Sequence, residues 1–292
     1  MQSRGRFAGV AVGALLAAVA LGGCSLIGLG DEEPLTCQGE APPSSAPGDS
    51  QVLMTVGQGE TSWDITTVVY ADGSVALIDD GADSAAGAGP TWHTGYLLPC
   101  ALDEARSLAE EALFGAPDFG EVVLADGSWT WVHYDNGALS ALAKVYGFES
   151  GYTEGLDWSQ RRAREDLEAL TDFLSVNIVS TGERLPIGAV QVDTGAEAPA
   201  AEVGDEASAG KDSGDGGSED DSEDGSGAKV EVPEVADWPG PPLGDLLGQQ
   251  GCGVLKKKQA QAVYEFVTGP GLGEADGALN VRVLPPGVAG CA

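Results

Sequence analysis

Apolar positions along most of the chain fall in short runs of strand length, and they recur at helical spacing in only a few stretches. Residues 51–57 (QVLMTVG) and 62–70 (SWDITTVVY) are rich in β-branched side chains and have the length of strands. Ala71-Asp72-Gly73-Ser74 follows and leads into an apolar run over 75–79. Asp-Gly between two such runs is a hairpin signal. The tetrapeptide recurs as Ala125-Asp126-Gly127-Ser128, between 121–124 and 129–134, and Asp135-Asn136-Gly137 then leads into 139–146. The sequences flanking the two ADGS copies differ, so the copies are a reused turn rather than an internal repeat. Further strands are expected over 186–193, 252–255 and 278–284.

Helical spacing appears over 102–113, where Leu102, Ala105, Leu108, Ala109, Ala112 and Leu113 share one stripe. Asp103 and Glu104 would complement the N-terminal end of its dipole, and Gly115 would stop it. Over 157–174, Ala163, Leu167, Leu170 and Leu174 line one face, and Asp157 with Gln160 has the spacing of a capping box. A third helix is expected over 259–267. The expected fold is α+β: mostly antiparallel sheet built from hairpins, with two or three packed helices.

The start of the chain changes the picture from fold to address. Arg4 and Arg6 precede an uncharged stretch over 7–21. That stretch is short for a membrane span and has the length of a secretory signal core. It ends in Leu21-Gly22-Gly23-Cys24, a lipobox. On these residues the chain resembles bacterial lipoproteins. The resemblance implies cleavage before Cys24, a diacylglycerol on the Cys24 sulfur, and a further acyl group such as palmitate on the new amine. The expected location is the cell membrane, lipid-anchored on the extracytoplasmic face, because two or more acyl chains hold a protein where one would let go.

Charge supports that division of labour. Forty-six Asp and Glu against 14 Lys and Arg give a net charge of −32. Such a surface disfavours nucleic acid as a partner and is repelled by an anionic leaflet, so attachment falls to the lipid. The acid is densest over 195–229, where eleven Asp and Glu stand against Lys211 and Lys229 among Gly, Ala and Ser. This insert is expected to be disordered, since it has too little apolar area to offset its ordering entropy. Asp220, Ser222, Asp224, Gly225 and Glu231 fit the spacing of a calcium loop. No helical pattern flanks them, however, and an acidic tract produces that spacing by chance. The expected organisation is a signal peptide over 1–23, a flexible tether over 24–50, an α+β core over 51–194, the acidic insert over 195–229, and a part over 230–292 that completes the same domain. The last part alone has too little core to stand by itself.

With Cys24 lipidated, Cys37, Cys100, Cys252 and Cys291 remain, and four cysteines in an exported chain allow three pairings. Cys37–Cys100 and Cys252–Cys291 are favoured, because each encloses one compact segment and neither crosses the acidic insert. No CxxC occurs, which argues against a redox motif or a zinc ribbon.

The chemistry-bearing residues are few. His93 and His133 are the two histidines; no GxSxG elbow and no HExxH accompany them. Both are expected to be ordinary loop or strand-edge residues, and no catalytic residue, metal or cofactor is expected. Trp129, Trp131 and His133 alternate and would share one face of a strand. The expected use of that face is core packing against the 157–174 helix, because Trp buries much apolar area. The alternative is a flat platform that stacks on a sugar ring. Arg161, Arg162 and Arg164 form a basic cluster that could grip an anion. Glu165, Asp166 and Glu168 lie four residues beyond each, so a solvated, salt-bridged face is expected. Lys256, Lys257 and Lys258 are expected in a solvated turn.

Several short features together resemble a group of secreted or lipid-anchored actinobacterial proteins. They are the Tyr70-Ala71-Asp72-Gly73 hairpin, Leu98-Pro99 before a helix, the Arg-rich helix, Trp238-Pro239-Gly240, Cys252, and the ending Leu284-Pro285-Pro286-Gly287 with Gly290-Cys291. The resemblance implies no particular activity. The functional expectation is a non-catalytic binding or scaffold role at the cell envelope, with an envelope protein or glycan as partner. The alternatives are a solute- or glycan-binding protein using the aromatic face, or a carboxylate-based cell-wall enzyme.

Overall fold

The computed structural model describes residues 34–59, 65–78, 91–115, 117–194, 235–269 and 279–291. All belong to one compact unit, Pro34–Ala292. The signal segment, Cys24, the acidic insert and the calcium-like spacing lie outside the described residues.

The fold is mixed α+β and mostly antiparallel sheet. Strands β1 (Val52–Gly59), β2 (Ile65–Tyr70), β3 (Ser74–Ile78) and β4 (Trp92–Tyr96) form a meander. Helix α1 (Pro99–Phe114) then crosses to β5 (Trp129–Asp135), which pairs with the free side of β1, and β6 (Ser140–Tyr146) follows as a hairpin. Helix α2 (Trp158–Asn177) returns the chain to β7 (Val179–Arg184) beside β4. The result is a seven-stranded sheet in the order β6-β5-β1-β2-β3-β4-β7. A second sheet, β10-β8-β9, is built from β8 (Ala189–Asp193), β9 (Cys252–Lys256) and β10 (Asn280–Leu284). Helices α3 (Leu243–Leu247) and α4 (Lys258–Thr268) pack beside it.

Turn chemistry sets the hairpins. In the β2–β3 turn, Asp72 Oδ1 accepts from the Ser74 N–H at 3.0 Å and from its hydroxyl at 2.7 Å. Gly73 holds φ +87°, and a Cβ there would lie 2.8 Å from the Leu97 carbonyl oxygen, so only glycine fits. In the β5–β6 turn the Gly137 N–H donates to Asp135 Oδ1 at 2.7 Å. The 125–128 turn forms no hairpin. Residues 121–124 bend past the sheet without a ladder partner, and the Leu124 carbonyl instead accepts from the Tyr146 hydroxyl at 3.0 Å.

The helices begin where caps allow. Asp157 and Gln160 form the expected capping box on α2. Helix α1 starts three residues earlier than its apolar stripe suggests. Pro99 takes the first turn, where its missing N–H costs nothing. Glu40 Oε2 accepts from the Cys100 N–H at 2.8 Å and caps the end from outside. Asp103 and Glu104 consequently fall beyond the first turn. Disulfide Cys37–Cys100 joins the same two segments, and the Leu35 N–H donates to Asn177 Oδ1 at 2.7 Å. Residues 35–40, expected within a flexible tether, therefore lie against the helices, and Ser45 further along donates to Asp72 in the β2–β3 turn.

Three apolar clusters hold the unit together. The largest lies between one face of the seven-stranded sheet (Met54, Val69, Val75, Val132, Tyr134, Val145) and helices α1 and α2. The second fills the space between the three-stranded sheet and helices α3 and α4. The third joins the sheets: Val68, Tyr70, Ala76 and Trp92, on the outer face of the large sheet, meet Val283 and Val288. Disulfide Cys252–Cys291 closes the C-terminal part. Trp238 belongs to the second cluster, and its Nε1 donates to the Pro241 carbonyl at 2.9 Å, so the Trp-Pro-Gly motif is structural. Among the described residues, no helix is long and apolar enough to cross a membrane.

Candidate functional site

The β5 strand decides which of its two alternating faces is core. Thr130, Val132 and Tyr134 are buried, while Trp129, Trp131 and His133 are half-buried. Neither tryptophan belongs to any of the three apolar clusters. The expectation that the tryptophan face packs on the 157–174 helix is thus corrected: helices α1 and α2 take the opposite face. The physical reason is register. Val132 and Tyr134 pair across β1 with Val56 and Met54, and across β6 with Ala143 and Ala141, which places all of them on the helix side.

On the outer face, Trp129 and Trp131 stand opposite Gly59 and Gly57 on one side and Tyr146 and Lys144 on the other. Glycines leave room for the indoles to lie across β1, as aromatic side chains do over bare strand backbone. The indole centroids are 6.5 Å apart, and the Tyr146 ring lies 5.1 Å from that of Trp129. Lys144 Nζ sits 4.3 Å from each indole centroid, inside cation–π range of both. The Trp131 N–H points to the Gly59 carbonyl at 3.4 Å. The site therefore offers a two-indole surface with one ammonium over it. The exposed side chain of Leu142 continues the face beside His133. Lys144 and Tyr146 were not singled out from sequence, although counting back from the Asp135-Asn136-Gly137 turn gives their register.

The histidines do not combine. His133 is in β5 and His93 in β4, four strands apart, or about 19 Å across the sheet. Both strands are interior, which corrects the loop or strand-edge expectation. His93 Nδ1 contacts the Gly182 carbonyl at 3.3 Å. His133 Nε2 contacts Ser140 Oγ at 3.2 Å. Among the described residues, no carboxylate is within hydrogen-bond reach of that ring.

The arginine cluster divides by direction. Arg162 pairs with Asp166 at 2.8 Å and approaches Glu165 at 3.8 Å, as expected of a solvated face. Arg161 donates to the Leu156 carbonyl at 2.6 Å. Arg164 departs from expectation: it is buried and donates to the carbonyls of Phe119, Gly120 and Tyr146 at 2.8, 3.2 and 3.1 Å. Burial lowers its pKa. A cleft of about 410 Å³ beside it is also lined by Glu165, Glu168 and Asp172, which oppose an anionic guest. Lys256, Lys257 and Lys258 are exposed around the β9–α4 turn. Cys37, Glu40 and Cys100 lie close enough to suggest a metal site, but both sulfurs are spent in the disulfide.

No protein-family model matches the chain, and no curated protein and no solved structure is detectably similar to it.

Proposed function

We propose that this protein is a non-catalytic envelope lipoprotein, anchored through lipid on Cys24 outside the membrane, whose folded part binds a cell-surface glycan on the Trp129–Trp131 face. The observation that supports this reading is the direction of β5: its two indoles turn away from the helix-packed core and share the outer face with Lys144. Sugar rings present an apolar C–H face and a rim of hydroxyls. The indoles match the first, and the three ammonium donors of Lys144 match the second. The strongly acidic surface sets aside nucleic acid and leaves neutral glycans as partners free of long-range repulsion.

The test is a tryptophan-fluorescence titration of the full chain in detergent with soluble cell-wall oligosaccharides. Saturable change is expected, and Trp129→Ala and Trp131→Ala should abolish it. Binding that survives both substitutions excludes this face. Cys24→Ala should move the protein out of the membrane fraction, and continued sedimentation with membranes would reveal another attachment.

A further inference from the structure

The structure also carries a second candidate site, on the helix side of the sheet. Arg106 and Glu110 are one turn apart on α1, a spacing at which opposite charges normally meet. Here no ion pair closes between them. Arg106 is drawn away by the Ala71 carbonyl (2.8 Å) and by Asp103 (3.1 Å). Glu110 is held by the Tyr134 hydroxyl (3.0 Å) and by Asn136 Nδ2 (3.3 Å). Both bonds to Glu110 fall on Oε1 and leave Oε2 for another donor. Two of the five guanidinium N–H groups of Arg106 are used, which leaves three. A cavity of about 360 Å³, open to solvent, lies among these groups, with Gln51 and Leu53 also in its lining.

We infer that this cavity binds a small zwitterion of the free α-amino-acid type, its carboxylate on Arg106 and its ammonium on Glu110. The separated charges are the argument. A simple anion would engage Arg106 alone, a simple cation would engage Glu110 alone, and a neutral polyol would use neither charge. A ligand with both charges and a short aliphatic side chain satisfies both ends and lays its apolar part on Leu53. Asp135, on the same lining, strengthens the ammonium end. The space is far larger than one water requires. The site is independent of the aromatic face, so either proposal can fail alone.

The test is calorimetric titration of the full chain with glycine and L-alanine, each against its amide, its N-acetyl form and methylamine. The free amino acids should give saturable heat. Removing either ligand charge should weaken binding by about tenfold or more, the loss expected for a charge-assisted hydrogen bond. Glu110→Gln should do the same. The blocked ligands probe the unaltered protein, so the result does not depend on a variant that folds. No saturable heat with either amino acid, or equal binding of the amide, N-acetyl form or methylamine, overturns the inference.

Discussion

The Tyr70 hydroxyl donates to the Pro286 carbonyl at 2.7 Å, a bond that spans 216 residues of chain. Trp92 Nε1 makes a parallel contact to the Val283 carbonyl at 3.0 Å. Both aromatic residues lie on the outer face of the large sheet and reach the C-terminal segment, so these two bonds fasten one sheet to the other. Burial, with the charge of Asp72 second, pushes the Tyr70 phenol above its ordinary pKa, which keeps it a donor. Tyr70→Phe should cost about 1–3 kcal/mol in urea unfolding, because it strands a carbonyl next to buried apolar surface. Combined with Trp92→Phe, the loss should depart from additivity, since the two bonds share one interface. Strict additivity would mean that the two contacts act separately.

Arg164 carries a second structural prediction. Its guanidinium reaches three carbonyls from two nitrogens, and a lysine ammonium, with its donors on one nitrogen, cannot match that fork. Arg164→Lys should destabilise by about 2 kcal/mol although the charge is kept. Arg162→Lys, at an exposed ion pair, should change stability by less than about 0.5 kcal/mol. Equal effects in thermal unfolding would refute this division of the cluster.

The two arginines show where sequence was legible and where it was not. Spacing located α2, its capping box and its apolar stripe, because those are local and periodic. Spacing also paired Arg162 with Asp166. It could not reveal that Arg164 faces inward, because its partners are backbone carbonyls 18 to 45 residues away, which carry no side-chain signal. The same limit hid β4 and β7. Trp92–Tyr96 is five residues with no clean alternation, and Val179–Arg184 is exposed along its whole length. Both are strands because neighbours supply a ladder. The face of β5 was misassigned for a related reason. Alternation divides a strand into two faces, but it does not say which one the helices cover. Small alanines on β6 and Met54 on β1 settle that, and they act across strands.

Acid sensitivity should concentrate at the β2–β3 turn. Burial raises the Asp72 pKa, but hydrogen bonds from Ser45 and Ser74 outweigh it, and the net direction is down. A carboxylate depressed in the folded state contributes stability above its unfolded pKa of about 3.9, and that stability is lost as pH falls through the folded value. Asp118 and Asp157 shift the same way through hydrogen bonds involving Gln160 and Ser159, so the informative quantity is a difference between proteins. Asp72→Asn should lower Tm at neutral pH, and the gap to the unaltered protein should shrink as pH falls from the unfolded pKa through the lowered folded one. A gap that is constant with pH would remove Asp72 from the acid response.

The Cys37–Cys100 bridge closes a 63-residue separation and holds the segment that carries Glu40 against α1. Replacing both cysteines with serine should cost about 2–4 kcal/mol. Glu40→Gln in the intact disulfide should cost less, about 0.5–1 kcal/mol, because the amide oxygen still accepts from the Cys100 N–H. If the double serine variant is as stable as the parent in urea, the bridge does not constrain the unfolded chain in the way its span implies.

Stability itself can distinguish a binding platform from a core. A tryptophan packed in a core costs about 3–5 kcal/mol when cut to alanine. Trp131 is half-buried, lies outside every apolar cluster and faces Gly57, so it leaves little cavity behind. Trp131→Ala should therefore cost less than about 2 kcal/mol. Lys144→Ala should cost about 0.5–1 kcal/mol, the range for a solvent-exposed cation–π contact, and should alter the tryptophan emission because the ammonium lies over both rings. A loss near the core value for Trp131→Ala would mean that this face is covered in the folded protein, and the glycan platform would have no surface to offer. A small loss together with a changed emission on removing Lys144 would leave two indoles at the surface whose cost to the fold is low, the condition under which a binding role accounts for them better than packing does.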